Sequence, residues 1–297
     1  MTNVLKVEAV SRSFGDRRVL RDVTFDVRAG RMTGFVGANG AGKTTTMRII
    51  LGVLAADAGE VTWRGTALTR ELRQRFGYMP EERGLYPKMT AADQVVYLGR
   101  LHGMTAAAAR RGTTELLERL GLGDRAGEQI EKLSLGNQQR VQIAAALVHD
   151  PEVLILDEPF SGLDPLAVDV VVAVLRERAS AGVPVLFSSH QLDLVERLCD
   201  DLVIVTDGAI RAAGSRAELR AGHALPRFAL EVDTDAGWLR EHGGVTLIDL
   251  DGPRAVFELA PGADDQEILR SALTRGPVRS FNPVAPSLAE IFREVHQ

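Results

Sequence analysis

The segment GANGAGKT, residues 37–44, constrains this chain more than any other. It fills every fixed position of G-x-x-x-x-G-K-[ST], with Gly37, Gly42, Lys43 and Thr44. Asn39, Gly40 and Ala41 complete the small-residue loop between them. The apolar stretch RMTGFVG runs into it as a strand, and just after Lys43 the periodicity changes from two to helical. Strand, glycine loop and helix in that order make a cradle for an anion. Glycines let the backbone wrap closely and aim its N–H groups inward. The helix beginning near Lys43 adds its positive end. Lys43 brings a mobile charge for β- and γ-phosphates, and Thr44 a hydroxyl for Mg²⁺. The feature therefore points to a nucleoside triphosphate, but alone it names neither the reaction nor the partner.

A loop of this kind belongs in an α/β fold, and the flanking pattern agrees. PEVLILDEP, VPVLFSSH and DLVIVTDG are continuous apolar runs, with the helical stretch QLDLVERLCD between the last two. Such alternation reads as a parallel sheet covered on both faces. VLRDVTFDVRAG alternates Val23, Phe25 and Val27, as a half-buried strand does, and EVTWRG closes on Gly65 as an edge or hairpin strand. From about 82 to 150 the chain is expected to be helical, and MTAAAARRGTTELLERLGL ends on Gly121 and Gly123 as a helix should.

At 297 residues the chain exceeds the usual size of one domain. RAGHALPRF, around 221–228, is the expected linker. Beyond it FALEVD, VTLIDL and AVFELA read as strands, and DDQEILRSALTR and LAEIFREV as helices. The expected division is a first domain over 1–220 and a small α+β domain over 227–297.

Two carboxylates, Asp157 and Glu158, stand at the C-terminal edge of the run VLIL, where ligands bind in open α/β sheets. Neighbours on a strand point oppositely, but a turn at Pro159 can bring the second acid round. Asp157 would hold Mg²⁺, directly or through water, and Glu158 would orient and deprotonate an attacking water. His190 follows VLFSS at another strand end, within reach of a γ-phosphate.

A net charge of −5 argues against a general nucleic-acid binder. The single cysteine, Cys199, excludes an internal disulfide and reads as a small buried apolar residue. No stretch approaches the ~18 uncharged apolar residues that span a bilayer, and MTNVLKVEAV has no signal-peptide pattern. The expected location is therefore cytoplasmic, with any membrane spanning done by another chain.

LSLGNQQR, residues 133–140, opens a strongly helix-forming stretch and presents the Ser134 hydroxyl and unpaired N–H groups at its start. With the residues above, in order over about 3–220, it resembles the ATP-binding cassette of ABC transporters. The resemblance implies a P-loop cassette with a RecA-like parallel sheet core, an antiparallel β subdomain and a helical subdomain over about 82–150. Residues 37–45 match the Walker A, which adds Thr45. LSLGNQQR matches the signature, VLILDE the Walker B, SGLD the D-loop with Asp164, and His190 the switch histidine. Phe14 in SRSFGD stands where the family places an aromatic ring against adenine.

The resemblance also implies a head-to-tail pair, most simply a homodimer, in which Ser134 and the N–H groups near Gly136 face the triphosphate of a second cassette. ATP, Mg²⁺, a membrane permease and a peripheral place on the inner face of the cell membrane are implied in the same way. The single cassette with its α+β tail most resembles type-2 exporter subunits. Two motifs depart from the family pattern. One is the signature, where Leu135 stands for the usual third-position glycine and Asn137 for the glutamine after the second glycine; the other is the Q-loop, where Glu81 stands for the usual glutamine. A carboxylate at 81 can still ligate Mg²⁺ but adds negative charge beside the triphosphate. Leu85, Tyr86, Pro87 and Met89, after Gly84, either pack inside the domain or grip a permease helix. The alternative functions are a cassette ATPase outside transport and a nucleotide-gated binding module that does not hydrolyse.

Overall fold

The computed structural model describes residues 4–222, 225–284 and 290. They fall into two compact units, Met1–Arg216 and Ala217–Gln297. In chain order the first unit begins with β1 (Val4–Phe14), β2 (Arg17–Arg28), β3 (Met32–Val36) and α1 (Lys43–Ile50). Next come β4 (Ala58–Trp63), β5 (Thr66–Ala67), a single helical turn α2 (Arg70–Arg73) and β6 (Phe76–Met79). Three helices follow: α3 (Ala91–Leu101), α4 (Ala106–Arg119) and α5 (Leu135–Leu147). The remainder is β7 (Val153–Leu156), α6 (Pro165–Ser180), β8 (Val185–Ser189), α7 (Leu192–Leu198), β9 (Asp201–Thr206) and β10 (Ala209–Ser215).

The six-stranded sheet has the order β10-β9-β3-β8-β7-β6. All its pairings are parallel except that of the edge strand β10. β3, β7 and β8 are buried at every position; β7 is apolar throughout, and β8 is apolar up to Ser188 and Ser189 at its C-terminal end. Parallel register sets Val36 against Ser189 and Leu156 against Phe187. The C-terminal ends of β3, β7 and β8 therefore share one edge, from which the cradle, the two acids and His190 all emerge.

A second, antiparallel sheet runs β2-β1-β4-β5. The alternation in β2 buries Val23, Phe25 and Val27, and these pack with Phe35, Met47, Ile50 and Val203 in a core shared by both sheets. The helices start on the caps their sequences provide. Thr90, Thr105 and Ser134 accept from Asp93, Ala108 and Asn137 N–H, respectively. The region 82–90 is not helical as expected: it is irregular, with a turn at 87–88 and a bridge from Thr90 to Gln129, and helix begins only at Ala91. At the far end of α3 the His102 ring stacks on His149, with centroids 3.7 Å apart and an interplanar angle of 10°. His102 Nδ1 lies 3.0 Å from the Gln74 carbonyl and His149 Nε2 3.2 Å from that of Phe76. The pair joins the ends of α3 and α5 to the start of β6.

Cys199 is buried at 1 % exposure. Gly34 in β3 is the only residue that fits above it, since a Cβ there would lie 2.5 Å from the Cys199 Sγ. Burial pushes its thiol up. Among the described residues no helix is long and apolar enough to cross a membrane.

At the division between the units lies α8 (Arg216–Gly222), so helix occupies the start of the expected linker, and the next strand begins within its last residues. The second unit contains β11 (Arg227–Val232), β12 (Val245–Asp251), β13 (Arg254–Leu259), α9 (Asp265–Arg275) and β14 (Val278–Pro283). Its antiparallel sheet, β12-β13-β11-β14, has a core of its own around Leu230, Leu239, Phe257 and Ile268. The helix expected at LAEIFREV lies outside the described residues apart from Glu290, which bonds to Arg227 at 2.9 Å. The strand β14, which the sequence reading did not anticipate, closes the sheet beside β11.

Candidate active site

Between β3 and α1 the loop curls over itself, and the Lys43 ammonium donates to the Gly37 and Ala38 carbonyls at 2.7 and 3.3 Å. Two glycines have steric reasons. Gly42 has φ 104° and a Cβ there would meet Leu20 at 2.5 Å; at Gly37 it would meet the Val205 carbonyl at 2.4 Å. Gly42 is also the N-cap of α1 and supplies no side chain to its first N–H groups, and the first turn carries no acid. The dipole and the orphan donors therefore open onto the space in front of the loop.

That space is a cavity of about 300 Å³. Its walls include Asn39, Gly40, Lys43, Thr44 and Thr45 from the cradle, and Asp157 and Glu158 from the end of β7. Phe14, Arg17 and Val19 line it from the β1–β2 hairpin, and Glu81 from the segment after β6. Gly37 and Ala41 stand behind the lining, Ala41 at 5 % exposure. Glu81 and Thr44 also border a neighbouring cavity with Arg48, Tyr78 and Arg83. Burial, and then the Asp157 charge, raise the Tyr78 phenol above its usual range.

The two acids are turned into the same cavity by Glu158 itself, not by Pro159. Glu158 has φ 50°, a left-handed backbone that is uncommon for such a residue. Two side chains from other elements hold it there. The Glu158 N–H donates to Ser188 Oγ at 2.8 Å, and Gln139 Nε2, on α5, donates to the Glu158 carbonyl at 2.9 Å. Ser188 Oγ in turn donates to Asp157 Oδ1 at 2.5 Å. His190 Nδ1 lies 3.0 Å from Glu158 Oε1. Asp157 is 1 % exposed, and its Oδ2 is buried with no hydrogen-bond partner. A buried carboxylate oxygen left open on the cavity that Thr44 also lines is a donor set that suits a hard divalent cation, so the residues present fit Mg²⁺. Sequence reasoning missed Ser188 and Gln139. Ser188 lay inside a quoted run without standing out, and both act on the backbone or acid of a different element.

Ser134, Gly136 and Asp164 do not line this cavity. Ser134 caps α5, its Oγ accepting from Asn137 N–H at 3.3 Å. A Cβ on Gly136 would lie 3.1 Å from the Gly162 carbonyl, so the start of α5 packs on the turn before α6. Asp164 caps α6 by accepting from Ala167 N–H at 2.8 Å. Leu135 is 59 % exposed. Tyr86 is exposed too, in edge contact with Tyr97, and its N–H donates to the buried Gln94 at 2.7 Å. Pro87 is exposed, whereas Leu85 and Met89 are partly covered.

Comparison with known proteins places this geometry in context. Residues 20–161 match the family description "ABC transporter". Residues 214–296 match "ATP-binding protein DrrA1-3-like, C-terminal domain". The chain is 38 % identical over 291 residues to the ABC transporter ATP-binding protein YhaQ of Bacillus subtilis, covering 98 % of each chain. It is 39 % identical to the Nod factor export ATP-binding protein I of Burkholderia lata, over 73 % of this chain and 70 % of that one. Among solved structures, an ATP-binding subunit of an ABC transporter superposes with a TM-score of 0.69 at 34 % identity. That match covers 74 % of this chain and 92 % of the other.

Proposed function

The chain belongs to the ABC transporter family of ATP-binding proteins, and from that premise we propose that it is the ATP-hydrolysing subunit of an exporter, working as a nucleotide-closed pair of cassettes under a membrane permease on the inner face of the cell membrane. Support for export comes from the Nod factor export protein it resembles. In this reading Phe14 stacks on the base. The loop around Asn39, Gly40, Gly42 and Thr45, with the Lys43 ammonium, holds the phosphates. Thr44 and Asp157 Oδ2, with Glu81 near them, would hold Mg²⁺, which when bound neutralises charge on the β- and γ-phosphate oxygens. Glu158 accepts a proton from a water aligned with the γ-phosphorus. The water oxygen bonds to that phosphorus as the bond to the β-phosphate oxygen breaks, releasing ADP and phosphate. His190, in contact with Glu158 Oε1, keeps that carboxylate aimed and reaches toward the γ-phosphate. Ser134, the N–H groups near Gly136, and Asp164 serve the nucleotide of the partner cassette, because in their own chain they stand apart from the cavity. A permease helix docks at Tyr86.

The observation that carries this reading is the single cavity walled by the Lys43 cradle, Asp157 and the Glu158 carboxylate that His190 contacts. Steady phosphate release from the wild type should fall by about 100-fold or more in Glu158→Gln, the scale of a lost general base. The same variant should form an ATP-dependent dimer by light scattering. No turnover in the wild type, with ATP-driven dimerisation intact, would favour the gated binding module that Glu81 and Leu135 keep in play.

A further inference from the structure

The strongest unassigned feature lies behind Phe14, at the tip of β1. The Phe14 ring lines the cavity and is 48 % exposed, so one face is open. The Arg12 guanidinium lies over the ring, 5.0 Å from its centroid. Arg12 does not sit there loosely. Its Nη1 donates to Asp57 Oδ1 at 2.6 Å, and its side chain is only 24 % exposed. Asp57 is itself tied to the strand on both sides of Arg12. Its Oδ2 accepts from Ser13 N–H at 2.7 Å, and its N–H donates to the Ser11 carbonyl at 2.9 Å. Asp57 thus fastens three consecutive residues of β1, Arg12 and Ser13 through its carboxylate and Ser11 through its backbone N–H, and pins the guanidinium where it meets the ring.

We infer that Arg12, held by Asp57, is a positioning residue for the nucleobase: it backs one face of the Phe14 ring so that the other stands ready for the adenine. The inference rests on the reading of Phe14 as the base platform. Two physical effects follow from the arrangement. A side chain backed on one face by a pinned cation loses less rotamer freedom when the base arrives, so stacking is opposed less by ordering the ring. A cation on one face also draws electron density from the ring through its quadrupole, which favours an electron-rich purine on the opposite face. Neither effect touches the phosphates.

That separation gives the test. Binding of ATP and of inorganic tripolyphosphate, each with Mg²⁺, is measured by calorimetry in the Glu158→Gln background to suppress turnover. Arg12→Ala should weaken ATP by about three- to tenfold, the range of one cation–π contact with its ordering effect, and leave tripolyphosphate unchanged. In the otherwise wild-type enzyme it should raise the KM for ATP by a similar factor with kcat within about twofold, because the chemistry lies at the other end of the nucleotide. Arg12→Lys, which keeps a cation beside the ring and Asp57, should recover most of the loss. Equal weakening of ATP and tripolyphosphate, or no weakening of either, overturns the inference. Phe14→Ala serves as the control. If it leaves ATP and tripolyphosphate binding unchanged, the base-platform reading fails and this inference with it. If it weakens ATP alone while Arg12→Ala does nothing, only the role of Arg12 fails.

Discussion

Ser188 illustrates how much of the chemistry rests on one hydroxyl. It is wholly buried, donates to Asp157 and accepts from the Glu158 N–H. Replacing it with alanine leaves both Asp157 oxygens without a protein partner, and an orphaned buried acceptor costs about 1–3 kcal/mol. The Glu158 backbone also loses one of its two side-chain restraints. Ser188→Ala should therefore lower kcat by about tenfold or more, while ATP binding, which the proposed function assigns to the cradle, changes little. Single-turnover kinetics beside a binding isotherm would separate the two. The groups proposed to meet the ligand were legible in the sequence, because Lys43, Thr44, Asp157 and Glu158, which line one cavity, sit at fixed spacings from glycines and strand ends. Ser188 and Gln139 were not. Their targets are 31 and 19 residues away along the chain, and only the sheet register and the path of α5 bring them close.

Among elements, the joint between α3, α5 and β6 carries a pH dependence. Burial first, and the neighbouring His102 second, lower the His149 pKa from 6.5 to about 4. Asp150, which pulls the other way, lies next to it and pairs with Arg178. Below pH 6.5 the unfolded chain takes up a proton at this site that the folded one refuses. The stability is therefore whole above pH 6.5 and is lost as pH falls toward about 4. The loss should be on the order of 2 kcal/mol once residual exposure is allowed for. Thermal melts over that range should fall more steeply for the wild type than for His149→Gln, which has no such proton to take up. The start of α5 was readable because Ser134 is a capping residue in front of a strongly helix-forming stretch, whereas that of α3, capped by Thr90, lies nine residues beyond the expected 82 because the segment between takes no α-helical hydrogen bonds. β6 was not foreseen because it is four residues long and broken by Gly77. That glycine is required where a Cβ would meet the Ala146 carbonyl at 2.3 Å, a demand made by tertiary packing alone.

For the molecule as a whole, each unit has a core of its own among the described residues, one around Phe25, Phe35 and Ile50 and the other around Leu230, Leu239 and Phe257. A chain ending at Gly222 should accordingly still bind ATP and unfold in one cooperative transition near that of the full-length cassette. Denaturant titration followed by nucleotide binding would show it, and a truncated chain that is molten would place part of the cassette's stability in the tail. The broad architecture was readable because long apolar runs alternating with helices leave few alternatives to a covered parallel sheet. The junction was harder to place, since a polar, glycine-containing stretch serves equally as linker or as the end of a helix such as α8. The wedge of Cys199 beneath Gly34 has a practical corollary. The chain's one native sulfhydryl lies shut between the end of α7 and the sheet, so a maleimide dye or spin label placed on either unit by design would report its own position against a silent background, and motion during the ATPase cycle can be followed without first stripping the protein of a reactive side chain.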